Sequence, residues 1–162
     1  MKILQINAVS GQGSTGKICE SISELLCAEG IDNKILFASH KTHYPYSVKY
    51  AGDNYIKVQA LKSRVLGNDG FNSHLATYKL ISEIKKFAPD IVHLHNLHGH
   101  NVNLPILFNF LKKNNLKTIW TFHDCWAFTA YCSYFTLVKC EQWKKRCKHC
   151  PQLKGVSWFF DK

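Results

Sequence analysis

A chain of 162 residues, 46% apolar and without a long polar or proline-rich run, has material for one globular core and too little for two. No apolar stretch approaches the roughly 20 residues of a membrane span, and "MKILQINAV" is too short for a secretory signal. The expectation is a cytoplasmic protein whose seven cysteines are thiols or metal ligands, and whose formal charge of +10 suits nucleic acid, anionic lipid or phosphorylated sugars.

In chain order, "KILQIN" is a short β-rich run that stops at glycines. Ile18, Ile22, Leu25 and Leu26 then share one helical face that ends near Gly30. "KILFAS" reads as a second strand, and residues 40–71 as loop plus one helix around Leu61 to Leu66. Leu80, Ile81, Ile84 and Phe87 describe a helix that Pro89 closes, and "DIVHLHN" follows as a buried strand. Leu104, Leu107, Phe108 and Leu111 repeat the helical spacing before "KTIWTF", another strand. Such alternation predicts an α/β fold, a Rossmann-like parallel sheet with helices on both faces, followed by a Cys-rich C-terminal loop segment. Ligands of such sheets bind beyond the carboxyl ends of the strands. Gly11 to Gly16, His93 to His100 and His123 to Trp126 each follow a strand and are the candidate site segments.

"SGQGSTGKIC" fits two phosphate-binding patterns in part and neither in full. A P-loop needs Ser or Thr after the lysine to hold Mg²⁺, and position 18 is Ile, so Mg-ATP chemistry is not expected. A dinucleotide fold needs an acidic residue ending the second strand, where Ser39 and His40 stand, so NAD is not expected. What remains is close backbone approach at glycines and N–H groups at a helix start, which attract phosphate. A tight turn that needs glycine for its backbone angles alone is the other reading.

In "HLHNLHGH", His93 and His95 are two apart on a strand and share a face, either as metal ligands lacking an identifiable third or as hydrogen-bonded histidines. "WTFHDCW" places His123 and Asp124 after the last strand, where they can bind a sugar hydroxyl or stabilise charge. Cys132, Cys140, Cys147 and Cys150 end in a C-x-x-C, and in a reducing compartment they suit a structural zinc, with neighbouring lysines favouring the thiolates. Their first two gaps are not those of a common zinc finger. His149 or Cys125 can replace one ligand, and unligated thiols are the alternative.

"GQGSTGKI", "PDIVHLHNLHGHNVNLPILF", "IWTFHDCWAFTAYCSYF" and "CEQWKKRCKHCPQL" together resemble the N-terminal half of retaining GT-B glycosyltransferases of bacterial capsule, colanic acid and related exopolysaccharide pathways. The resemblance implies that the loop of Gly11, Gly13, Ser14, Thr15, Gly16 and Lys17 approaches donor phosphates and acceptor. His123 and Asp124 would face the donor sugar as the catalytic pair, and His95 and Asn96 would border the cleft. Such sequences commonly read T-G-H-C where this chain has Thr129, Ala130, Tyr131 and Cys132. By the same resemblance, residues 1–162 are one Rossmann-like domain of an enzyme whose second, nucleotide-sugar-binding domain is absent, so this chain alone is expected to be inactive. The implied reaction transfers a hexosyl group from a sugar nucleotide to a growing cell-surface polysaccharide or lipid-linked acceptor. An anionic membrane at the inner face of the cytoplasmic membrane is a further expected partner. A zinc-containing nucleic-acid-binding module is the alternative from another class, and nucleic acid is not the expected ligand.

Overall fold

The computed structural model describes residues 1–129 and 132–159, so Ala130 and Tyr131 of the T-G-H-C position and residues 160–162 lie outside the described residues. The elements are β1 (Lys2–Val9), α1 (Gly13–Ala28), β2 (Asp32–Ser39), β3 (Ser47–Lys49) and α2 (Asp53–Leu66). They continue with α3 (His74–Phe87), β4 (Ile91–Leu94), α4 (Leu104–Lys113), β5 (Lys117–Trp120), three single 3-10 turns and a one-turn helix α5 (Leu153–Val156).

All five strands are parallel, in the order β3-β2-β1-β4-β5. The chain leaves β1 towards β2 and β3, then returns to place β4 on the other side of β1. The order therefore reverses between β1 and β4, the position at which sheets of this kind bind their ligands.

The two faces of the sheet differ in chemistry. Leu4 and Ile6 of β1, Leu36 and Ala38 of β2, and Val92 and Leu94 of β4 point to one face, where they form the core with Leu80, Ile84 and Phe87 of α3 and Leu107 and Leu111 of α4. The alternate residues Gln5, Asn7, Asn33, Ile35, Phe37 and His93 point to the other face, which α1 covers over β1 and β2. Helix α4 is capped as its sequence dictates: Asn103 accepts from the Ile106 N–H at 3.1 Å, and Pro105 occupies the first turn, where no N–H is needed.

Three expectations are corrected. The buried face of α1 is Gly16, Cys19 and Ser23, whereas Ile18 and Leu25 are exposed. The cause is close approach: a Cβ on Gly16 would stand 3.1 Å from the Gly11 nitrogen, and the Gln5 amide reaches the Cys19 carbonyl at 3.0 Å. Next, α1 starts at Gly13, so Gly13 to Lys17 are its first turns and the loop proper is only Ser10 to Gln12. Last, residues 40–71 contain the edge strand β3 and a helix twice as long as the apolar pattern suggested. The buried residues of α2 are Gln59 and Ser63, so its periodicity is not that of a core-facing helix.

Candidate functional site

Three loops meet at the carboxyl edge of the sheet, and a chain of buried polar groups joins them. Asn7, fully buried, accepts from the Asn96 N–H at 3.1 Å and donates to the Val9 carbonyl at 2.9 Å and to Thr15 Oγ1 at 3.4 Å. One side chain thus ties the loop after β1, the first turn of α1 and the loop after β4 together. Trp120 at the end of β5 donates to the His95 carbonyl at 2.8 Å, which adds the third loop.

His95 is 1% exposed and bonded on both ring nitrogens, Nε2 to Gln5 Oε1 at 3.1 Å and Nδ1 to His123 Nε2 at 3.0 Å. The amide group of Gln5 already donates to the Cys19 carbonyl, so its oxygen accepts and His95 Nε2 carries the proton. Nδ1 of His95 is then an acceptor, which makes His123 Nε2 a donor. A neutral His123 consequently keeps its Nδ1 lone pair for an incoming group, and a protonated His123 offers an N–H there instead. Gln5 and His95 were not both legible as site residues from spacing, yet they fix the orientation of the ring that was.

Burial pushes the His95 ring down from its ordinary value of 6.5 to about 3, with neighbouring His93 and His123 adding to the effect. His93, which meets Thr121 Oγ1 at 2.8 Å, is lowered for the same reasons, burial first and His123 second. Both bases hold lower values folded than unfolded, so their contribution to stability is present above about 6.5 and is lost as pH falls below it, in the case of His95 down to about 3. The wild-type chain is expected to lose stability between pH 6.5 and about 4.5, before most carboxylates titrate, and His95→Gln to flatten that slope. Urea midpoints measured across this range give the result directly. Parallel pH profiles for the two proteins would show that His95 is not buried neutral.

Asp124 is occupied differently from His123. Its Oδ1 accepts from the Trp126 N–H at 2.9 Å and its Oδ2 meets His98 Nε2 at 2.6 Å, with the carboxylate only 9% exposed. The second residue of the "HD" pair therefore shapes its own loop. His100 is likewise held by Asp69 at 2.9 Å, so His98 and His100 leave the strand histidines and each takes a separate acidic partner. His95, Asn96, His98, His123, Asp124 and Trp126 are among the residues that line one depression of about 180 Å³.

At the glycine loop, Gly11 has φ +69° and Gly13 φ +62°. A Cβ on Gly11 would stand 2.7 Å from Glu20 Oε1, whereas one on Gly13 would meet nothing within 4 Å. Glu20 was not anticipated; it accepts from Ser10 Oγ at 3.0 Å and Thr42 Oγ1 at 2.9 Å beneath the loop. Helix α1 begins with no side-chain cap and no acidic residue in its first turn, and Ser14 and Lys17 are exposed. Its first N–H groups are thus open to an anion.

Cys132, Cys140, Cys147 and Cys150 are half-buried in the C-terminal segment. Burial pushes the Cys132 thiol up, and nearby Cys150, Cys140 and Cys125 add to it, with Cys147 not among these neighbours. Among the described residues no three His, Cys, Asp or Glu side chains converge as ligands of a metal ion, so the thiols as placed do not form a tetrahedral set.

A parallel sheet of this order, with helices on both faces, defines a Rossmann-like α/β domain. The chain belongs to Glycosyltransferase Family 4, whose profile matches residues 16–154. It is 25% identical over 169 aligned positions to the Escherichia coli (strain K12) protein named "Putative colanic acid biosynthesis glycosyl transferase WcaC". That alignment covers 96% of this chain and 40% of the relative, so the chain spans two fifths of the relative's length.

Proposed function

We propose that this chain forms the acceptor-side domain of a glycosyltransferase that moves a hexosyl group, with retention, from a sugar nucleotide to a cell-surface polysaccharide or its lipid-linked precursor. The observation that carries the reading is the Gln5–His95–His123 relay, which orients an imidazole that lines the depression between the loops after β4 and β5. A sugar hydroxyl is a suitable partner for that nitrogen, and the open start of α1 is a suitable partner for the leaving diphosphate. Family membership favours this reading over the nucleic-acid-binding alternative.

The depression offers only about 10 Å³ of enclosed solvent-sized space, far below the roughly 300–1,000 Å³ of a small-molecule cleft, which suits one wall of a cleft shared with a second domain. The 162-residue chain alone is therefore expected to show no transfer or hydrolysis with radiolabelled sugar nucleotides. This domain joined to a nucleotide-sugar-binding second domain, supplied with a membrane extract as acceptor, is expected to label it from one donor of a panel. Labelling from none would overturn the proposed reaction, and donor-dependent transfer by the short chain would overturn the division of labour.

For the C-terminal segment we propose structural zinc on Cys132, Cys140, Cys147 and Cys150, on the strength of their spacing and of the thiols already gathered near Cys132. Binding would draw the four together from the looser arrangement described above. Elemental analysis of protein purified without metal-affinity resin is expected to find about one zinc per chain. A metal-free, fully folded protein with four alkylatable thiols would show the proposal to be wrong.

A further inference from the structure

A second imidazole beside His123 is held from behind, and its free nitrogen has no assigned use. His98 meets Asp124 Oδ2 through Nε2 at 2.6 Å, and Asp124 Oδ1 accepts from the Trp126 N–H at 2.9 Å. The Asp124 side chain is 9% exposed, so both its oxygens are engaged inside the protein. A carboxylate can only accept, so a neutral His98 carries its proton on Nε2 and keeps a lone pair on Nδ1. Among the described residues, that Nδ1 meets no hydrogen-bond partner. The ring is steadied by buried Leu97 on its N-terminal side and by buried Trp126, whose ring centroid lies 5.6 Å away.

His98 and His123 line the same depression between the loops after β4 and β5. The two differ in what stands behind them. His123 is oriented by the neutral His95 ring, whereas His98 is oriented by a carboxylate, which polarises the imidazole and makes its Nδ1 the stronger acceptor. The enclosed space is about 10 Å³, close to that of one water-sized group, so a single hydroxyl fits where a sugar ring does not. A hydroxyl that attacks through oxygen must direct its hydrogen elsewhere, and a fixed lone pair is the partner for that hydrogen.

We propose that His98 Nδ1 receives the hydroxyl of the glycan acceptor to which the sugar is transferred. Asp124 is then a positioning residue: with both oxygens occupied it acts through His98, holding the tautomer that leaves Nδ1 bare. This assignment rests on the proposed transfer reaction and names the residue that would hold its acceptor.

The first test needs only the 162-residue chain and its histidine nitrogen-15 shifts at neutral pH. His98 is expected to show a protonated Nε2 and a bare Nδ1. Titration with methyl α-D-glucoside, methyl β-D-galactoside and methyl α-L-fucoside is expected to move the Nδ1 signal with at least one of them. His98→Gln, whose amide replaces Nε2–H towards Asp124 and offers nothing at Nδ1, is expected to bind that glycoside roughly three- to tenfold more weakly. Asp124→Asn is expected to invert the tautomer, since its amide group donates to Nε2 and drives the ring proton to Nδ1.

Kinetics of this domain joined to a nucleotide-sugar-binding second domain separate the roles. His98→Gln is expected to raise the acceptor KM by a similar factor and leave the donor KM alone. Asp124→Asn is expected to lower kcat more than it raises the acceptor KM, because an Nδ1–H still binds the hydroxyl but through the oxygen that must react. A glycoside that moves the His123 signal alone overturns the role of His98 and leaves the proposed function standing. So does a His98→Gln variant that raises the donor KM instead. No shift of either ring with any of the three glycosides also overturns it, and the labelling of a membrane extract then reports separately on the transfer reaction.

Discussion

On the proposed reaction, replacing His123 by alanine is expected to lower turnover by roughly one to three powers of ten, with little change in stability. The ring is half-buried and sits at the open end of the Gln5–His95–His123 relay, so its removal deletes the oriented polar contact proposed above for a reacting sugar. The relay makes the effect divisible. Gln5→Leu leaves His123 in place but removes the acceptor that fixes His95 Nε2–H, freeing the buried His95 ring to change tautomer. Its expected cost is about 1–3 kcal/mol of stability for the unpaired N–H, together with a smaller fall in turnover than His123→Ala produces. Nitrogen-15 shifts of the histidine rings separate positioning from plain destabilisation. In the wild type at neutral pH, His95 should show a bare Nδ1 and a protonated Nε2, and Gln5→Leu should blur that distinction. Wild-type turnover in His123→Ala would remove the histidine from the proposed site.

How far this site was legible follows from where its residues lie. "KILQIN", "KILFAS", "DIVHLHN" and "KTIWTF" stand out because parallel strands covered by helices are continuous apolar runs bounded by breakers, and His95, Asn96, His123 and Asp124 follow at their ends. Gln5 and Asn7 were passed over because a polar residue between Leu4 and Ile6 reads as an ordinary solvent-facing position of an alternating strand. In a central strand no such position exists. Once β1 is placed in the middle of a parallel sheet, two fully buried amides must have partners, and that requirement is the signal that could have found them. The face of α1 was misread, and the extent of α2 underestimated, for a related reason. Both put small or polar side chains inward, Cys19 and Ser23 in one and Gln59 and Ser63 in the other, which periodicity of large apolar residues does not register. Edge strand β3, three residues of "SVK", carries too little pattern to be seen without its register against Ile35 to Phe37. Asp124 was legible as a position, whereas its partner His98 was not, because adjacency to His123 says nothing about a residue that comes from another loop.

Alanine at Gly11 and alanine at Gly13 are expected to fail in different ways, and the contrast decides what the glycine loop is for. Both residues have positive φ, +69° and +62°, so each substitution costs about 1–2 kcal/mol in backbone strain alone. Gly11 carries a second burden, since its Cβ would stand 2.7 Å from Glu20 Oε1 and 3.1 Å from Thr42 Oγ1. The carboxylate would have to move off the two hydroxyls that now satisfy it, bringing the total to roughly 2–4 kcal/mol. Gly11→Ala is therefore a stability variant, read from its urea midpoint. At Gly13 the new methyl meets nothing within 4 Å and projects into open space at the start of α1. If glycine stands there for its backbone angles only, Gly13→Ala should lose the same 1–2 kcal/mol and retain its donor affinity and turnover. If the open N–H groups of α1 receive the diphosphate, the methyl blocks the approach, and kcat/KM for the sugar nucleotide should fall about tenfold or more in a protein that remains folded. Titration of the full-length Gly13→Ala protein with the nucleoside diphosphate alone completes the test, because a lost phosphate contact weakens that product as well as the donor, whereas a disturbed acceptor site leaves it unchanged.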